Sequence, residues 1–166
     1  QGVDADVILT QEQQLGLKAD QGDIAEYKVT SSRSVGIRVV QADRVGTSYS
    51  ESTSQENLQT MVQTAIENAT YAKEDPHEKI RAVDQAIPDW SDRTFQSDEA
   101  TTEQKVELAL SLESGLEGRE ISAKAPYNGF NEVEYEVHVA NSLGHSCSHR
   151  ERMLSCYTYA LLEADG

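Results

Sequence analysis

The sequence predicts an α+β fold, an antiparallel or mixed β-sheet with two helices packed on one face (a two-layer sandwich). Three observations predict it. Val133, Tyr135, Val137 and Val139 alternate strictly with Glu132, Glu134, Glu136 and His138, the period of a strand with one apolar face. Leu58, Met61, Val62, Ala65, Ile66, Ala69 and Ala72 keep the i, i+3, i+4, i+7 spacing of a helix with one buried stripe. Between residues 24 and 49, three extended runs follow one another closely enough to read as an antiparallel meander.

Taken in order, Val3, Ala5, Val7 and Leu9 alternate weakly and suggest a first strand. The meander comprises residues 24–31, 35–40 and 45–49, with residues 41–44 at hairpin length between the last two runs. Thr53 and Glu56 match a capping box opening the first helix, which should end near Lys73, before Asp75-Pro76. Residues 74–100 carry Pro76, Pro88 and the only Trp, Trp90, and read as an irregular crossing. A second helix is expected from Thr101 to Leu116. Thr101 and Gln104 open it, Val106, Ala109, Leu110 and Leu116 form its buried face, and Gly115 and Gly118 mark its exit. Two long strands, meeting at the Asn141-Ser142-Leu143-Gly144 turn, complete the chain.

Composition narrows the function classes. The chain has 166 residues, 37% hydrophobic and 6% aromatic, so its core must come mainly from Val, Leu, Ile and Ala. Its net charge of -15, from 29 acidic and 14 basic residues, repels phosphate backbones and anionic lipid. Neither nucleic acid nor a membrane is therefore expected as a partner. Cys147 and Cys156 are too few for a disulfide framework and read as free thiols in a reducing cytoplasm. No apolar run approaches the ~18 residues of a membrane span, and no signal segment is evident, so a soluble, cytoplasmic protein is expected.

No nucleophile elbow, phosphate-binding loop, dinucleotide fingerprint or Cys-x-x-Cys pair is present. His77-Glu78 begins a zinc-peptidase motif, but Arg81 and Ala82 occupy the places of a second His, so it reads as a surface dipeptide. His145, Cys147 and His149 share one strand face, with His138 as a distant fourth donor. Strand neighbours about 6.5–7 Å apart do not converge on one ion, and the expectation is a polar strand face. The same parallel aim argues against Cys147 and His149 as nucleophile and base. Of the paired carboxylates, Asp4/Asp6 carry no defined chemistry, and Glu132, Glu134 and Glu136 are expected to face water. No catalytic, cofactor-binding or metal-ligating residue is assigned.

Several segments together resemble a known family. Residues 14–26 are similar to the strand–turn–strand that opens PmbA-like domains, and Ser34-Val35-Gly36-Ile37-Arg38-Val39-Val40 resembles their "GxGIRV" strand. Arg44 to Ser50 resembles the "GxxGxAST" strand, residues 58–72 the next helix, and residues 71–76 its "D-P" exit. Val139-Ala140-Asn141-Ser142-Leu143-Gly144 matches the "ANSxG" hairpin, and Glu163-Ala164-Asp165-Gly166 the "xEDG" end. The chain thus resembles the TldD/PmbA family, closest to the PmbA (TldE) branch, with residues 86–130 matching least.

The resemblance implies that residues 1–166 form a single N-terminal domain, a fragment or a short relative, with the C-terminal metallopeptidase-type domain outside it. It implies proteolysis or maturation of peptides by a cytoplasmic zinc metallopeptidase system. There the zinc belongs to a TldD-like catalytic subunit, and the PmbA branch, once linked to DNA gyrase modulation, is its non-catalytic partner. The expected partners are peptide or unfolded-protein substrate and a homo- or hetero-oligomer with a TldD-like subunit. The expected roles are substrate cleft and subunit assembly. The alternative is a stand-alone α+β binding or structural domain unrelated to proteolysis.

Overall fold

Two tight turns set the first half of the chain, here described from a computed structural model covering residues 2–83, 88, 91–96, 100–115 and 122–163. Strand β1 (Asp4–Asp20) turns into β2 (Asp23–Gln41) through Gln21 and Gly22, both at positive φ (55° and 81°). Strand β3 (Arg44–Ser50) follows through Ala42 and Asp43, at φ 50° and 60°. Two consecutive left-handed residues give the primed turn whose twist matches antiparallel strands. The expected hairpin at 41–44 is therefore observed, with Gln41 paired to Arg44 and the ladder running to Val35 opposite Ser50.

The expected runs 24–31 and 35–40 are not separate strands. Residues 23–41 form one strand, and the first strand likewise continues unbroken to Asp20. The polar stretches that suggested breaks pair with each other across strands. Thr10 Oγ1 and Ser34 Oγ lie 2.8 Å apart, and Arg33 donates to Gln11 Oε1 from Nη2 at 2.7 Å. Cross-strand polar pairs of this kind stabilise a ladder without apolar burial.

Beyond these come α1 (Gln55–Tyr71), the short α2 (Ser91–Thr94) within the stretch read as irregular, and α3 (Thr102–Ser114). The long strands β4 (Ser122–Asn141) and β5 (Ser146–Glu163) follow. The five strands form one antiparallel open sheet in the order β3-β2-β1-β4-β5, so β3 and β5 are its edges. The α+β arrangement of helices laid on a sheet is thus as the patterning predicts. Trp90, Leu116, Gly118 and residues 164–166 lie outside the described residues.

The chain divides into two compact units. The first comprises Gln1–Glu12, Ser32–Thr94 and Tyr135–Arg150. Its core joins Val35, Ile37 and Val39 of β2 to Met61 and Ala65 of α1, with Ala5, Val7, Leu9, Leu58 and Ile66 packed around them. The N-cap of α1 is Ser54, whose hydroxyl accepts from Asn57 N at 3.3 Å, and not Thr53. The cap slips by one because Ser50, Ser52 and Ser54 form a ladder of side-chain hydrogen bonds that carries the backbone into the helix. At the other end Arg44 donates to the carbonyls of Thr70 and Ala72 and pairs with Glu74 at 2.9 Å. A cation thus satisfies the unpaired carbonyls at the negative end of α1.

The second unit comprises Gln13–Ser31, Phe95–Glu134 and Glu151–Gly166. Leu17 of β1, Ala109 of α3 and Phe130 of β4 are its buried core, with Leu15, Ile24 and Val106 against them. Asn128, 2% exposed, donates to the carbonyls of Ala19 and Ala125 and accepts from Ala19 N, which pins β1 to β4. Thr101 and Gln104, expected to open α3, do so as a capping box: Gln104 N donates to Thr101 Oγ1 at 3.3 Å, and Thr101 N donates to Gln104 Oε1 at 2.8 Å. The first-turn carboxylate of Glu103 is held below its ordinary range by a backbone N–H and then by the Thr101 hydroxyl, so its contribution to stability is lost as pH falls. Thr101→Ala is expected to lower the unfolding free energy by about 1 kcal/mol in urea titrations, with Thr101→Ser close to wild type.

Candidate functional site

The second unit contains a charged cavity that sequence patterning does not reveal. Glu132 and Glu134 project from β4, Arg152 from β5 and Lys105 from α3. With Gln13, Gln14, Leu15, Tyr27, Val29 and Ala100 they line a cavity of about 240 Å³. Lys105 Nζ sits 2.5 Å from Glu132 Oε2, and Arg152 Nη2 pairs with Glu134. Arg152 Nε lies 3.1 Å from Glu132 Oε1, misaligned for a hydrogen bond, so the two groups attract as charges only. Nη1 of the same guanidinium donates to Gln96 O at 2.7 Å, and its Cζ lies over the Phe95 ring, 5.0 Å from the ring centre.

This network overturns one expectation directly. Glu132, expected in water, has a side chain only 8% exposed, and Glu134 is 25% exposed. Of that trio, Glu136 is the one that pairs with a histidine, His138, at 2.8 Å. The physical reason is that α3 lies against the Glu132 side of β4 and brings Lys105 with it. Lys105 stands four residues before Ala109 and so shares the buried helical face. A base on an apolar stripe was the available signal for it. The two acids and two bases balance in charge. The arrangement fixes α3 to β4 and β5, with Tyr27 and Val29 exposed beside it.

The other candidate residues are dispersed. Asp4 is exposed, while Asp6 pairs with Arg38 Nη2 at 2.6 Å, and Glu78 reaches Arg38 Nη1 at 3.2 Å. The hydrogen bond to Asp6, and then the two carboxylate charges, raise the Arg38 pKa against the opposing effect of burial. His77 is exposed in a turn, where its backbone N–H donates to Asp75 Oδ1. Residues 77–83 are not helical, so His77 and Arg81 are not one helical turn apart.

His145, Cys147 and His149 are half-buried on one face, His145 immediately before β5 and the others on it. Asn141 and His145 exchange backbone and side-chain hydrogen bonds across the turn, which sets Glu134 beside Arg152 and Gly129 beside Tyr157. That register places His138 opposite Ser148, on the other face from the trio. Among the described residues no three His, Cys, Asp or Glu side chains are grouped to hold a metal. The donors present therefore do not fit a zinc ion.

Comparison with known proteins places this arrangement. A profile described as PmbA/TldA metallopeptidase domain 1 matches residues 5–69, and one described as PmbA/TldA metallopeptidase central domain matches residues 95–166. These matches define the class as adjoining domains of a metallopeptidase-related protein. The chain belongs to the PmbA/TldD family.

Solved structures show the same fold at low identity. One from Bacteroides thetaiotaomicron, named as a candidate modulator of DNA gyrase, has TM-score 0.80 and 15% identity, over 98% of this chain and 38% of that one. One from Thermotoga maritima, named in the same way, has TM-score 0.76 and 14% identity over 99% and 37%. TldE from Thermococcus kodakarensis has TM-score 0.75 and 15% identity over 97% and 36%. The chain thus spans a little over a third of the length of these structures. No curated protein matches the chain. No helix among the described residues is long and apolar enough to cross a membrane.

Proposed function

We propose that this chain is the non-catalytic N-terminal part of a PmbA/TldD-type protein of the PmbA branch. In this reading residues 1–166 act together in the cytoplasm, presenting peptide or unfolded protein to a TldD-like subunit that carries the zinc and cleaves it. The observation that carries the reading is the edge strand β5. It ends the sheet order, and Met153, Leu154, Tyr157, Tyr159, Leu161 and Leu162 along it are all 46% exposed or more.

An extended chain adding to such an edge is held by main-chain hydrogen bonds. That suits a substrate class defined by lack of fold rather than by sequence. The same exposed apolar strand would be an aggregation hazard if nothing covered it. Support also comes from family membership.

Incubated with zinc and an unfolded, carboxymethylated protein, the chain alone is expected to release no peptides, and cleavage is expected once a TldD-like subunit is added. Robust zinc-dependent cleavage by the chain alone would sink the reading. In hydrogen exchange, an unstructured peptide should slow the amides of residues 153–162. Unchanged exchange there would remove the edge as the docking element.

A further inference from the structure

We infer that the open edge of β5 selects extended segments alternating cationic with aliphatic side chains, the cations lying on the tyrosine face. The inference rests on the peptide-presenting reading above and adds to it a substrate class.

Among the described residues the edge is open only beyond Arg152. Before that point Thr94 Oγ1 donates to Arg150 O at 2.7 Å, and Arg152 donates to Gln96 O. From Met153 to Leu162, the described residues show no side-chain hydrogen bond or ion pair. This stretch, Met-Leu-Ser-Cys-Tyr-Thr-Tyr-Ala-Leu-Leu, has no charge, no Pro and no Gly, the residues with which proteins ordinarily blunt an edge.

The two faces of the strand differ. On one, Tyr157 and Tyr159 stand with ring centres 5.8 Å apart at 63°, and with Tyr127 they line an open cleft of about 460 Å³. Tyr157 lies over Gly129, where a Cβ would come within 3.0 Å of the ring, so the absence of a side chain there seats the ring against the sheet. Tyr127 and Tyr159 are 67% and 66% exposed. On the other face Leu154 and Leu162 flank the small side chains of Cys156, Thr158 and Ala160.

A strand added to this edge sets its alternate side chains beside Tyr157 and Tyr159, and the intervening ones beside Leu154 and Leu162. Tyrosine rings present a negative π-face that attracts Lys or Arg. The chain's net charge of -15 raises the local concentration of cationic segments and disfavours acidic ones. The leucine face favours aliphatic partners.

The test uses three capped peptides of equal length in which Val alternates with Lys, Ser or Glu, titrated against the chain by fluorescence anisotropy. The Lys peptide is expected to bind about tenfold more tightly than the Ser peptide, with the Glu peptide weakest. Tyr159→Leu leaves the net charge unchanged and should reduce the Lys-over-Ser preference to about twofold or less, while Tyr159→Phe keeps most of it. Gly129→Ala, which displaces Tyr157, should lower the preference as well.

If the Ser peptide binds and slows exchange at residues 153–162 but no Lys preference appears, the inference fails and the peptide-presenting reading stands. A Lys preference unchanged by Tyr159→Leu reflects general charge attraction and also overturns the inference. If no peptide slows exchange at the edge, both fail.

Discussion

Replacing Glu132 with Ala should lower the unfolding free energy by about 3 kcal/mol, the lower end of what removing one partner of a buried ion pair costs. The carboxylate meets Lys105 at 2.5 Å and Arg152 at 3.1 Å, and the three side chains are 8%, 16% and 11% exposed. Without it Lys105 loses the carboxylate 2.5 Å from its Nζ, and Arg152 keeps Glu134. That remaining partner, and the partial exposure of Lys105, keep the cost at the lower end of the range. Glu132→Gln preserves the volume but not the charge and should cost nearly as much. Replacing Lys105, Glu132, Glu134 and Arg152 together by apolar residues of similar size should recover most of the loss, because the two acids and two bases are then removed as a balanced set. Urea unfolding read by far-UV circular dichroism gives each value. A loss below about 1 kcal/mol for Glu132→Ala would show that the network contributes little.

The same residue marks the limit of what the sequence reveals. Alternation from Glu132 to Val139 correctly predicts a strand with two unlike faces, but not which face a helix will cover. Placing the carboxylates in water followed from charge alone. Their burial depends on Lys105 and Arg152, which stand 27 residues before and 20 after Glu132 and meet it only in the fold. Local chemistry was easier to read. The opening of α3 by Thr101 and Gln104 and the stripe of Met61, Ala65 and Ala69 are short-range patterns, and both are present as expected. The break expected in β2 near residues 31–34 was a misreading of polarity. Ser34 and Arg33 find partners in Thr10 and Gln11 on the neighbouring strand, and a single segment cannot reveal that pairing. The tyrosine face was hidden for the same reason, since Tyr127 stands far from Tyr157 and Tyr159 in sequence and beside them in space.

Gly46→Ala should be at least as damaging as Glu132→Ala, through sterics rather than charge. A Cβ at Gly46 would lie 1.9 Å from Ala65 O and 2.4 Å from Ala69 N, both backbone atoms of α1. No rotamer change relieves such a contact. Either α1 lifts off β3 or the strand bends away, and each movement opens the packing of Met61 and Ala65 on Val35, Ile37 and Val39. Overpacking against rigid backbone belongs at or above the top of the usual 1–3 kcal/mol range, so a loss of about 3 kcal/mol or more is expected. For a chain of this size that corresponds to a fall in Tm of roughly 6–12 °C. Gly36→Ala provides the contrast on the adjoining strand. Its Cβ would meet Ile8 Cγ2 at 3.4 Å, the tip of a side chain, and Ser48 O at 3.9 Å, both ordinary contacts, and its cost should stay below about 1 kcal/mol. Calorimetry on the two variants separates backbone crowding from a general intolerance of side chains in these strands. Equal losses for both would refute the close approach of α1 to β3. A large loss confined to Gly46→Ala would show that glycine there is required by the distance between two backbones, since its φ is not in the left-handed region.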